Sequence, residues 1–174
     1  MAAPTGHRPA GLGRSPARLA RPGLLELAAS AIAAHPDSIA VTGPQGILTY
    51  RDVGTLRDAT AAALEDAGVR PGGTVAVLAA RGIHLPGVLL GVLAAGARWA
   101  ILDAAMPPAA LTRQLTALRP QAAITFVETG VLRGLPVIKV SSLAGAGGAR
   151  PVPGRSSGAY LMLTSGTSGE PALL

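Results

Sequence analysis

The residues best suited to chemistry lie together near the end of the chain, where Thr164-Ser165-Gly166-Thr167-Ser168-Gly169 follows the apolar run Ala159-Tyr160-Leu161-Met162-Leu163. Glycines take φ > 0 without steric cost, so successive N–H groups can turn inward as an anion nest. The hydroxyls of Thr164, Ser165, Thr167 and Ser168 add further donors. That combination suits phosphate oxygens. Loops of this composition are also ordinary connectors after strands, and the spacing excludes three commoner signatures. Gly169 is followed by Glu170 and not by the lysine of a Walker loop. Neither a G-x-G-x-x-G dinucleotide fingerprint nor a G-x-S-x-G nucleophile elbow is present here.

A phosphate loop needs a scaffold, and the upstream pattern supplies one. Gly23 to Ala34 reads as a helix with Leu24, Leu27, Ala28 and Ala31 on one stripe, stopped by His35-Pro36. Ile39–Thr42 and Ile47–Tyr50 flank Gly43-Pro44-Gln45-Gly46 as a hairpin. Thr49 and Asp52 have capping-box spacing for a helix that runs to about Ala67, with Val53, Leu56, Ala59, Ala63 and Leu64 inward and Gly68 as its stop. After the turn at Pro71-Gly72-Gly73, Thr74–Ala79 reads as a buried strand. A helix from about His84 to Ala95 and a strand over Arg98–Leu102 follow. Pro107-Pro108 opens a helix to Leu118 with Leu111, Leu115 and Leu118 on one face, and Ala122–Phe126 and Pro136–Val140 are further strands. Ser141 to Gly158 reads as a linker and Ala159–Leu163 as the last strand. Strands alternating with helices of about 11 residues predict an α/β fold, layered helices on a mainly parallel sheet joined by right-handed crossovers. Ligands of such sheets sit beyond the carboxyl ends of the strands, where a loop after Leu163 would emerge.

Composition narrows the function. A chain of 174 residues builds one domain. Apolar residues make up 49 % and aromatic residues 2 %, so the core must be Ala, Val, Leu and Ile. Of the net charge of +6, the acid-free residues 1–22 contribute +4 through Arg8, Arg14, Arg18 and Arg21. The rest is nearly balanced and poor in aromatics for base stacking, which argues against nucleic-acid binding. Residues 1–22, rich in Pro, Gly and Arg, read as a disordered extension, and 23–174 as the domain. The absence of cysteine excludes disulfides and thiolate chemistry. His7, His35 and His84 lack metal-ligand spacing. The longest apolar segment, Leu85 to Ala97, contains Pro86 and ends at Arg98, short of the ~20 residues that span a bilayer. With no secretory leader either, a cytoplasmic protein is expected.

Residues Leu163 to Pro171 match, position by position, the phosphate-loop motif [YFL]-T-S-G-[ST]-[TS]-G-x-P-K-G of the adenylate-forming superfamily. That superfamily includes acyl-CoA synthetases, luciferase and the adenylation domains of nonribosomal peptide synthetases. Ala172 and Leu173 then replace its Lys and Gly. Leu48-Thr49-Tyr50-Arg51-Asp52-Val53 resembles the L-T-Y-x-E-L start of the first long helix. Ala67 to Val77 resembles the G-V-x-P-G-D-x-V-A-V turn and strand, with Gly73 replacing Asp. Leu89 to Ala97 is similar to L-A-V-L-K-A-G-G, with Ala94 replacing Lys. Ile101 to Pro107 is similar to P-L-D-P-x-Y-P, with Ala100 and Ala104 at its first two prolines, and this version leans towards amino-acid-activating domains. Arg119-Pro120 through Ile124-Thr125 fits the P-x-x-x-x-T strand.

The resemblance covers residues 23 to 171 and implies the amino-terminal part of an adenylation domain, truncated just after its phosphate loop. In the family a carboxylic acid, here most readily an amino acid, attacks the α-phosphate of ATP and leaves as an acyl-adenylate. It implies that Thr164, Ser165, Gly166, Thr167, Ser168 and Gly169 hold the β- and γ-phosphates. Glu170 and Ala172 weaken that attraction. The magnesium-binding acid, substrate pocket and mobile lysine belong to motifs downstream of the loop, and Lys139, the single lysine, precedes it. These residues alone are therefore expected to be inactive and to need a second polypeptide carrying the rest. The alternatives are a non-catalytic interaction module that keeps the half-fold, and an unrelated nucleotide-binding α/β enzyme. An unpaired sheet edge and exposed apolar surface are expected in either half-fold.

Overall fold

The computed structural model describes residues 23–79, 82–143, 161, 163–165 and 171–173. Among them the chain forms α1 (Leu24–Ala34), β1 (Ile39–Gly43), β2 (Gly46–Thr49), α2 (Tyr50–Asp66), β3 (Thr74–Ala79), α3 (Leu85–Ala94) and β4 (Arg98–Asp103). Then come α4 (Pro108–Leu118), β5 (Ala122–Thr125), β6 (Val137–Lys139), α5 (Val140–Leu143), β7 (Leu163–Ser165) and β8 (Pro171–Leu173). The expected extension over residues 1–22 lies outside the described residues.

The centre is β3. It pairs in parallel with β4 on one side (Val75 opposite Trp99) and with β5 on the other (Val75 opposite Ala122). β6 joins β5, also in parallel, giving the order β4-β3-β5-β6. Covered on both faces, β3 carries the run Thr-Val-Ala-Val-Leu-Ala, buried throughout, as a doubly covered parallel strand requires. Period-two alternation then divides the core. Val75, Val77, Ala122, Ile124 and Ile138 face α2 and α3 through Leu56, Leu64, Val88 and Val92. Ala76, Leu78, Ala100, Leu102 and Ala123 face α4 through Leu111, Leu115 and Leu118. The core is thus aliphatic, as the composition requires.

The start of α2 follows directly from its sequence. Thr49 Oγ1 accepts from the Asp52 N–H at 3.2 Å, and Asp52 Oδ2 accepts from the Thr49 N–H at 2.8 Å and its hydroxyl at 2.6 Å. These hydrogen bonds, the hydroxyl's foremost, hold the Asp52 carboxyl below the usual carboxylate range. Because the folded pKa is depressed, the contribution is present above the unfolded value of about 3.9 and is lost as pH falls through the lower folded value. Thr49→Ala is expected to cost about 1 kcal/mol in a urea titration at neutral pH. Asp52→Asn should flatten the acid limb of stability against pH. An unchanged limb would show that the carboxylate contributes nothing.

The turn before β3 is held on three sides. Gly72 has φ 78° and the Gly73 N–H donates to the Arg70 carbonyl at 2.8 Å, the type II geometry that Pro-Gly favours. The Arg98 guanidinium donates twice to the Gly72 carbonyl, at 3.1 and 2.8 Å. Gln121 Oε1 accepts the Arg70 N–H at 2.9 Å. A Cβ at residue 73 would lie 2.4 Å from that oxygen and 2.8 Å from the Arg70 carbonyl. The departure from aspartate at Gly73 is therefore accommodated by Gln121, which occupies the space.

Three expectations need correction. On α1 the half-buried side chains are Leu25, Ala28, Ala31 and Ile32, whereas Leu24 and Leu27 are 59 % and 53 % exposed. Ile32 meets α2 at Gly54 and sets the rotation. Ala63 on α2 packs, partly buried, against the core as expected. Ser141–Leu143 is not linker but the short helix α5, because Val140 and Leu143 bury against the core. The expected last strand, Ala159–Leu163, lies mostly outside the described residues; Leu161 is not in a strand, and β7 over Leu163–Ser165 pairs antiparallel with β8 instead of joining the parallel sheet. The remainder of Ala144–Gly158 lies outside the described residues.

Arg119 ends α4 with φ 45°, the left-handed conformation usually left to glycine. Arg119→Gly is expected to raise stability by about 0.5–1 kcal/mol, the steric relief exceeding the added entropy of the unfolded chain. A lowered urea midpoint would refute this.

Candidate functional site

The edge strand β4 is where the chain's last described segment returns. The Leu161 N–H donates to the Trp99 carbonyl at 2.9 Å, and the Leu161 side chain packs, half-buried, on the core layer shared with α4. Trp99 pairs through β3 on its other side, so Leu161 uses the outward edge of the sheet. Two residues later β7 begins, and β8 returns beside α4. Leu163 pairs with Leu173, Thr164 with Ala172 and Ser165 with Pro171.

Of the six candidate residues, Thr164 and Ser165 are therefore on β7. Gly166, Thr167, Ser168 and Gly169 lie between β7 and β8, outside the described residues, as does Glu170. Position 172, where the motif has lysine, is the cross-strand partner of Thr164. The Gly-rich connection of five residues is the length at which a chain can reverse. The β-branched Thr164 in Leu-Thr-Ser favours extended backbone, which suits β7 over Leu163–Ser165.

Four other ionisable groups have defined places in the fold. Asp103 closes β4 and its Oδ1 accepts the Ala105 N–H at 2.8 Å, shaping the turn into α4. Lys139 is on β6, at the opposite edge of the sheet from β4, with its Nζ 2.7 Å from Glu128 Oε1. His35 follows α1 and His84 precedes α3 as cap residues. Among the described residues no three His, Cys, Asp or Glu side chains gather where a metal ion could be held. No described helix is long and apolar enough to cross a membrane. What the sequence pattern did not reveal was the Trp99 carbonyl as the anchor for Leu161. Its signal was the position of Trp99 on a strand with one free edge, which needs the sheet order to be seen.

Residues 28–173 match the family model of the AMP-binding enzymes, and the chain belongs to that family of adenylate-forming ligases. It is 33 % identical over 148 residues to the AMB antimetabolite synthetase AmbE of Pseudomonas aeruginosa, which covers 80 % of this chain and 7 % of AmbE. To the phenyloxazoline synthase MbtB of Mycobacterium tuberculosis it is 34 % identical over 141 residues, 79 % of this chain and 10 % of MbtB. Among solved structures, VinN in complex with L-aspartate superposes with a TM-score of 0.76 at 27 % identity, over 87 % of this chain and 43 % of VinN. The nonribosomal peptide synthetase FmoA3 shares the fold, with a TM-score of 0.77 at 23 % identity over 87 % of this chain and 17 % of that one. The chain spans less than half of each of these proteins, and what it matches is the amino-terminal part of an adenylation domain.

Proposed function

We propose that this chain forms the triphosphate-holding part of an adenylation domain that activates an amino acid as its acyl-adenylate. The carrying observation is the hairpin of β7 and β8, which brackets residues 166–170 and is reached from Leu161 on the β4 edge. In this reading the hydroxyls of Thr164, Ser165, Thr167 and Ser168 and the amides of Gly166 and Gly169 hold the β- and γ-phosphates of ATP. Fixed donors of this kind stabilise the charge that builds as pyrophosphate leaves. VinN was solved with L-aspartate, which supports an amino acid as the acid activated. Magnesium, the substrate pocket and the acid-activating lysine come from polypeptide beyond these residues. The setting is the cytoplasm, where ATP and amino acids are both at hand.

The test is ATP–pyrophosphate exchange across the amino acids. The 174-residue chain alone is expected to give none, and exchange should appear when a polypeptide carrying the remaining adenylation-domain motifs is added. In that reconstituted form Thr164→Ala with Ser165→Ala should reduce exchange about 100- to 1,000-fold, the range for losing a transition-state hydrogen-bond donor. Turnover by the chain alone, or a reconstituted activity indifferent to the double substitution, would refute the reading.

A further inference from the structure

We draw no further inference here: the strongest candidate, the exposed apolar strip that Leu24 and Leu27 form on α1, carries nothing because nothing in the structure shows what covers it.

Discussion

Adding one methyl group at Gly91 is expected to lower the free energy of unfolding by about 2–3 kcal/mol, at the upper end of what overpacking a core costs. Gly91 lies on α3 where that helix crosses α2. A Cβ there would be 2.4 Å from Thr60 Cβ, 2.6 Å from the Arg57 carbonyl and 2.8 Å from Thr60 Cγ2. None of these atoms can swing aside. Thr60 is fully buried, with its hydroxyl bonded to the Leu56 carbonyl at 2.7 Å, and the Arg57 oxygen belongs to the helix backbone. The helices must move apart, which opens space among Leu56, Val88 and Val92. Helix propensity alone would make Gly→Ala favourable by about 1 kcal/mol, so packing reverses the expected sign. Gly130, with no atom within 4 Å of a built Cβ, is the control, and Gly130→Ala should change stability by under about 0.5 kcal/mol. Urea titrations of both variants decide the matter. A Gly91→Ala protein as stable as its parent would mean that the two helices are not in close contact.

A cation at position 172 is expected to have the second large effect, on nucleotide affinity. Ala172 is the cross-strand partner of Thr164, at the position where the motif has lysine. A positive charge within ~4 Å of a phosphate is worth about 1 kcal/mol in water and about 4 kcal/mol at the lower effective dielectric of a partly covered site. Ala172→Lys should therefore tighten ATP binding by about tenfold or more, and Glu170→Gln should add to it by removing a negative charge. Because the gain is electrostatic, raising the salt concentration should erode it. AMP, which lacks the β- and γ-phosphates, should gain much less. Isothermal titration of both nucleotides against both variants supplies the test. Equal gains for ATP and AMP, or no gain, would remove residues 164–169 from the triphosphate.

Most of the scaffold could be read from residue order. Strand β3 announced itself as six consecutive residues of small or branched type, and α4 as Leu111, Leu115 and Leu118 behind two prolines. Gly68 and Gly96, with φ 76° and 73°, stop α2 and α3 where expected. The failures share a cause, which is that local pattern does not choose between equivalent surroundings. Helix α1 has apolar residues around most of its circumference, so only contact with Gly54 through Ile32 selects the inward stripe. Leu-Thr-Ser suits either the end of a strand or a loop, and pairing with Pro171–Leu173 decides it. Arg119 in left-handed geometry carries no sequence flag, because a glycine would be the usual choice. The candidate site was legible as a motif. The approach of Leu161 to the β4 edge was not, because the lateral order of strands depends on contacts between residues far apart in the chain.

That lateral order also dictates a timetable for assembly. β3 leaves the ribosome before its neighbours, which come from two later stretches, each separated from it by at least one helix. Until β4 emerges, β3 has no partner in the sheet, and its second flank stays open until β5 is made. Pairing between distant segments is slow and leaves apolar side chains and unpaired backbone edges exposed meanwhile. During synthesis this makes the nascent β3 the stretch most in need of a chaperone.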